Sequence, residues 1–271
     1  MQVLLDSGIY IHSRFAEPAI RQTSIRWGNR TQTIGIHGFI RKRPPDDAVY
    51  RCQIEALFTI GRLIREGSIK AYQYNEIVFE RMRDRIGMPV CDALRGCDIH
   101  FCETPIIRSR FRQTRNFMDA IAKGGRKDRK AGRIQGAASQ VACFEWLCSL
   151  RKTQIGTLLS YADKLGLTDF EIESFKHIDW FQFLCRRAGL ENSPDIFHLW
   201  TAERNGLDGF LTLDKRLANL VRQVRKEKAK TIEIKTMVFE PLDLLIKLGI
   251  RTPDPVPIES DRFYHHHEIL A

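Results

Sequence analysis

Four acidic residues stand where a fold could gather them: Asp6, Glu76, Asp195 and Asp214. Asp6 closes the apolar run 1–5, and Asp214 closes the run 209–213. Glu76 falls in the first turn of a helix opened by Asn75, and Asp195 follows Ser193-Pro194 at another helix start. Groups at the C-terminal tips of parallel strands share one edge of an open α/β sheet. Four carboxylates brought together there repel one another and cannot all ionise without a compensating charge. Oxygen-only ligation suits a hard divalent cation, Mg²⁺ or Mn²⁺. Taken singly, each acid has an ordinary structural use. Asp195 complements a helix dipole, and Asp6 can start a turn with Ser7 and Gly8. The shared position at strand ends is what points to chemistry. Glu145, in the run CFEWLC, competes for the role of Glu76, which is preferred because a strand precedes it.

The elements that would position these acids alternate. An apolar strand at 1–5 is followed by a mixed segment with a strand candidate at 33–40, then by helical periodicity over 46–66 closed by Gly67. A strand at 69–74 leads into the helix carrying Glu76. The helix opened by Ser193, the expected N-cap, runs to Asn205-Gly206 and precedes the strand 209–213. A basic helix over 215–228, a strand over 232–239 and a helix over 242–248 complete the order. Strands joined by helices predict a parallel sheet with helices on both faces, a three-layer α/β/α fold.

The chain of 271 residues suffices for one large core, expected over 1–250 and interrupted by an insertion at about 90–178. Helical runs at 141–150 and 154–165, and a capping box at Thr168 and Glu171, give the insertion a packing role. Residues 251–271 read as a proline-rich surface tail ending near His265, His266 and His267. No stretch approaches the roughly 18 uninterrupted apolar residues of a membrane span, and the start lacks signal-peptide order, so a cytosolic protein without a membrane partner is expected. The seven cysteines read as buried reduced thiols. Cys91, Cys97, His100 and Cys102 form the one cluster that could hold zinc, although their spacing is not that of paired knuckles.

Net charge is +10, which attracts polyanions. Residues 108–133 carry ten Lys or Arg against Asp119 and Asp128. Within that segment, Arg126, Lys127, Arg129 and Lys130 are expected to meet phosphates, with Phe111 and Phe117 available to stack on bases. Lys215 and Arg216, with Arg222 and Arg225, would add a second basic face beside Asp214.

The run PDIFHLWTAERNGLDGFLTLDKRL, residues 194–217, resembles the signature of the PIN-domain nucleases: an acid opening a helix, alanine midway, glycine at its end, an apolar strand, then Thr-x-Asp. LLDSGIY resembles the family's first strand and first acid, IKAYQYNEIVFERM the strand and helix carrying its Glu, and MVFEPLDLLIKLG its closing strand and helix. The resemblance covers roughly residues 1–90 and 180–250; compact members of the family lack anything like 90–178. It implies that Asp6, Glu76, Asp195 and Asp214 ligate Mg²⁺ or Mn²⁺ or position water, supported by hydrogen bonds from Ser7 and Thr212. The reaction implied is endonucleolytic hydrolysis of RNA to a 5′-phosphate and a 3′-hydroxyl. A metal ion there would lower the pKa of the attacking water and offset charge on the leaving oxygen. The partners it admits are RNA, a small antitoxin protein covering the acidic cleft, and a second copy of the chain as a homodimer. A PIN-like module that binds RNA without cutting it is the alternative from another class. A flap-type DNA nuclease fits less well, since no helix-hairpin-helix is found.

Overall fold

The computed structural model describes residues 1–83, 91–111, 134–227, 232–265 and 268. Its centre is a five-stranded parallel sheet built from β1 (Gln2–Leu5), β4 (Lys70–Gln73), β5 (Ile99–Phe101), β6 (Gly209–Leu211) and β7 (Met237–Phe239). The order across the sheet is β5-β4-β1-β6-β7. β1 pairs with β4 through Val3 and Ala71, and with β6 through Leu4 and Phe210. Val3, Leu4, Leu5, Ala71, Phe210 and Leu211 are all buried, as a sheet covered on both faces demands. The helices needed for the parallel crossovers include α1 (Ser7–His12), α2 (Ala48–Arg65), α3 (Asn75–Arg83), α4 (Ile134–Ser149), α5 (Lys152–Ser160), α6 (Ala162–Leu165), α7 (Asp169–Lys176), α8 (Ile178–Ala188), α9 (Ser193–Arg204), α10 (Lys215–Lys226) and α11 (Pro241–Lys247).

The chain lays down β1, β4 and β5 in one direction, then returns to place β6 on the other side of β1. Strand order therefore reverses between β1 and β6, and open α/β sheets place their ligand crevices beyond the C-terminal strand ends at such a point. Asp6 and Thr212 each follow the last residue of one of these two strands.

Within 90–178, the described residues 91–111 and 134–178 pack into the body of the fold. β5 lies inside that stretch and closes one sheet edge, while Phe144 of α4 stacks on Phe197 of α9 with ring centroids 4.4 Å apart. Both join one contiguous core with Phe181 and Trp200. The capping box is present, with Thr168 accepting from the Glu171 amide and Glu171 from that of Thr168.

A second, three-stranded antiparallel sheet joins β2 (Ala16–Trp27), β3 (Arg30–Arg41) and β8 (Phe263–His265) in the order β2-β3-β8. Here the structure departs from the sequence reading. The candidate at 33–40 is one strand of a twelve-pair hairpin turned by Gly28-Asn29, with Gly28 at φ +61°. The C-terminal segment is packed over part of its length. Asp254 meets Arg62 and the Thr59 hydroxyl, Ile258 is buried, and Tyr264 stacks on Phe39. His265 lies in β8, and His266 and His267 fall outside the described residues.

Two boundaries also shift. The strand expected over 232–239 pairs only at Met237–Phe239, because the Glu203 carboxylate takes the amides of Lys235 and Thr236. Asn192, not Ser193, is the N-cap of α9, and the buried Ser193 hydroxyl has no hydrogen-bond partner among the described residues.

Candidate functional site

β1 ends by turning directly into α1, and Asp6 sits at that junction with its amide bonded to the Leu211 carbonyl of β6. Its carboxylate accepts 2.7 Å from the Thr212 hydroxyl on one oxygen and 3.4 Å from the Ser7 hydroxyl on the other. Thr212 also accepts from the Asp214 amide, which ties the ends of β1 and β6 to the start of α10. Asp214 caps α10 through Oδ1, which accepts from the amides of Arg216 and Leu217. Oδ2 makes no such bond among the described residues.

α9 brings Asp195 and, one turn later, His198 to the same place, since residues three apart share a helix face. His198 is fully enclosed. Its Nδ1 lies 2.6 Å from the Tyr74 hydroxyl and its Nε2 3.1 Å from Oε1 of Glu80 on α3. Gln140 of α4 donates to the same Glu80 oxygen at 2.6 Å. Asp6, Glu80 and His198 each offer a ligand atom, all within 4.8 Å of one another, the one such group among the described residues.

Electrostatics bind Asp195 to this group. Burial, then the neighbouring carboxylates of Asp6, Asp214 and Glu80, push its carboxyl up to about 6, against the opposing pull of His198. Burial likewise raises Asp6, with the His198 charge pulling the other way. Burial disfavours the charged form of His198, yet the carboxylates of Glu80, Asp6 and Asp195 outweigh it and push the imidazole up to about 9. Glu80 is held down at about 2 although burial alone would raise it; the His198 charge and hydrogen bonds from His198 and Gln140 prevail. Asp6, Glu80 and Asp195 are thus electrostatically coupled to His198, and Asp195 also to Asp214.

Three of the four acids read from the sequence, Asp6, Asp195 and Asp214, thus come together. Glu76 does not join them. It is buried and gripped by Arg108, whose Nε and Nη2 reach its two oxygens at 3.1 and 3.0 Å. Glu80, four residues on and one turn deeper along α3, supplies the carboxylate that faces Asp6. The signal available for it was that spacing: Glu80 repeats Glu76 at i+4, just as His198 repeats Asp195 at i+3. Glu145 is exposed.

The basic residues divide as well. Arg126, Lys127, Arg129, Lys130 and Phe117 lie outside the described residues. Arg110 pairs with the buried Glu171, and Phe111 is packed between Trp146 and Phe175, so neither is presented to a ligand. Lys215 and Arg216 are exposed beside Asp214, as expected. Arg222 instead pairs with Asp243, and Arg225 donates to the carbonyls of Ile234, Lys235 and Thr236. These last two are absorbed by local structure. Cys91, Cys97, His100 and Cys102 do not converge: the Cys97 thiol donates to the Gly61 carbonyl, and the His100 ring packs on Tyr72.

A groove of about 820 Å³, lined by Phe101, Glu103, Thr168, Glu173 and Arg204 among others, includes none of the clustered acids. The clustered acids lie instead at the strand ends, apart from this groove. Among the described residues no helix is long and apolar enough to cross a membrane.

Fold and site together define an α/β protein with a carboxylate–histidine cluster at the strand-order reversal of its sheet. Comparison with known proteins adds no family: no family model, no curated protein and no solved structure matches the chain.

Proposed function

We propose that the chain is a metal-dependent nuclease of the PIN-like type that hydrolyses RNA, with Asp6, Glu80, Asp195 and Asp214 as its acids. The observation that carries this reading is the convergence of those four carboxylates, from four separate elements, on one crevice at the β1/β6 reversal. The donor set suits a hard divalent ion. Oxygens of Asp6 and Glu80 lie within reach of a single ion, and the excess negative charge is what such an ion would relieve.

Asp6 and Glu80 would hold the metal, Mg²⁺ or Mn²⁺, which would supply charge neutralisation at the scissile phosphate and at the leaving oxygen. The Thr212 and Ser7 hydroxyls fix the Asp6 carboxylate, and His198 and Gln140 fix that of Glu80. Such supporting partners orient ligands and tune their basicity. Asp195 and the free Oδ2 of Asp214 remain to orient the attacking water and accept its proton. Water oxygen bonds to phosphorus, the bond from phosphorus to the 3′-oxygen breaks, and the leaving oxygen takes a proton. The products are a 5′-phosphate and a 3′-hydroxyl. Lys215 and Arg216, exposed at the start of α10, are placed to meet flanking phosphates.

A second reading, a PIN-like module that binds RNA without cutting it, draws on His198, because its positive charge already offsets one carboxylate without any metal. Labelled single-stranded RNA incubated with the purified protein and Mn²⁺, Mg²⁺ or EDTA separates the two. Cleavage that needs the metal and disappears in Asp6→Asn and Glu80→Gln supports the nuclease; binding without cleavage in every condition supports the second reading.

A further inference from the structure

The hairpin of β2 and β3 has no part in the site, and its shape and composition call for a role. Its root is held firmly. Phe15, Ala16 and Phe39 are buried, and β8 pairs with Gly38, Phe39 and Ile40, where a side chain on Gly38 would meet the Tyr264 carbonyl at 2.3 Å. Beyond Gly38, among the described residues, the two strands pair only with each other. Eight cross-strand pairs, from Ile20–His37 to Trp27–Arg30, therefore extend the arm by roughly 25 Å at ~3.3 Å per residue.

Register sorts the arm's side chains. Residues directly paired point to one face, and successive residues alternate. One face carries Arg21 with Ile36, Thr23 with Ile34, Ile25 with Gln32 and Trp27 with Arg30; the other carries Ile20 with His37 and Arg26 with Thr31. Trp27 is 81% exposed, Ile20 63% and Ile25 43%. Three large apolar side chains standing in water on one ribbon are an unmet surface.

Charge selects what would meet it. Residues 18–45 contain no Asp or Glu but hold Arg21, Arg26, Arg30, Arg41, Lys42 and Arg43. The side chains of Arg21, Arg26 and Arg30 make no hydrogen bond or ion pair among the described residues. Guanidinium groups beside an exposed indole are the elements that hold a single strand, cations on phosphates and an aromatic face on a base. An apolar protein partner would use Trp27 and Ile25 but leave three unpaired arginines on one ribbon unexplained.

We propose that the β2–β3 arm is a grip for single-stranded nucleic acid, with Arg21, Arg26 and Arg30 on backbone phosphates and Trp27 stacked on a base at the tip. It deepens the nuclease reading, on which it rests for the statement that the gripped strand is a substrate. The arm follows α1, the helix that Asp6 opens, three residues after its end. A strand too short to reach the arm loses these contacts.

The test is fluorescence anisotropy of a 20-nucleotide uridine RNA with the full chain, in EDTA so that nothing is cut, across a salt series. The triple variant Arg21→Ala, Arg26→Ala, Arg30→Ala is expected to bind at least tenfold more weakly and to lower the log–log salt slope by about 2, at ~0.7 per phosphate contact on a single strand. Trp27→Ala should weaken binding about tenfold, with Trp27→Phe restoring most of it, since base stacking on an aromatic ring is what is lost. Unchanged affinity and slope in both variants overturn the grip. So does a sedimentation shift showing that the arm joins two copies of the chain while RNA affinity stays constant. The same RNA with Mn²⁺ keeps the two proposals apart: binding through the arm without cleavage leaves the grip standing and removes the nuclease, whereas cleavage and binding unaffected by the arm variants do the reverse.

Discussion

Glu80 and His198 lie in contact, Oε1 to Nε2 at 3.1 Å, although 118 positions separate them in the chain. The opposite nitrogen of the imidazole is taken by Tyr74, so the ring cannot rotate without losing a buried partner. This contact places Glu80, and not the strand-adjacent Glu76, beside Asp6.

Glu80→Gln is accordingly expected to reduce metal-dependent RNA cleavage by two orders of magnitude or more, while Glu76→Gln keeps the metal dependence. The cost of Glu76→Gln falls on folding, because Arg108 is left partly enclosed beside a neutral amide. Breaking a buried pair costs about 3–5 kcal/mol. Cleavage rates and urea midpoints of the two variants check this; a loss of metal dependence in Glu76→Gln with normal stability would reverse the assignment.

Asp195 predicts a pH dependence of stability. Its folded pKa, raised to about 6 from 3.8 mainly by burial, means that the folded chain binds more protons than the unfolded one between those values. Stability from this residue is therefore greatest at low pH and declines as pH rises through about 6, with the penalty complete above it. A divalent ion in the crevice offsets that penalty, so Mn²⁺ should raise the melting temperature by several degrees at pH 7.5 and far less at pH 5. Equal shifts at both pH values would contradict metal binding by these acids.

His198→Gln removes the internal cation from among Glu80, Asp6 and Asp195. We expect a loss of about 3 kcal/mol or more, the cost of a buried charge left unpaired. The pair's contribution follows from its two shifts. The His198 part is complete below the unfolded value of 6.5 and disappears as pH rises through about 9. The Glu80 part is complete above 4.5 and disappears as pH falls towards about 2. Thermal scans from pH 3 to 10 should show the wild-type advantage over His198→Gln as a plateau between roughly 4.5 and 6.5.

Thr212→Val is nearly isosteric and deletes only the hydroxyl that donates to Asp6 and accepts from the Asp214 amide. Loss of a supporting partner typically lowers metal affinity or activity by about 10–100-fold. Titration with Mn²⁺, followed by cleavage assays at saturating metal, separates a weakened site from a slowed reaction.

How much of this was legible in the residues depended on length and on partners. β1 and β6 announce themselves as buried apolar runs and α2 as helical periodicity, whereas β4, KAYQ, is half-exposed and is marked only by its buried flanks Ile69 and Tyr74. β5 and β8 are three residues long and gain their pairing from neighbours distant in sequence, so no local pattern marks them. Most of the arm was missed because neither face is covered: alternation between apolar and polar residues is weak where no core selects for it. Asp6, Asp195 and Asp214 could be found because each sits at an element's end. Glu80 sits in mid-helix, where position says nothing, and only the tertiary contact with His198 distinguishes it from Glu76.

The place of β6 in the sheet has a consequence for how the chain matures. β6 belongs to the last third of the sequence yet forms one of the two ladders of β1, and Thr212 reaches Asp6 across 206 positions. During synthesis, β1 and β4 can pair early, but one edge of β1 stays open until the residues of β6 have left the ribosome. Asp195, His198, Thr212 and Asp214 all arrive with it. The carboxylate–histidine cluster is thus incomplete for most of translation and is assembled in one late, long-range closing step, of the kind that folds slowly.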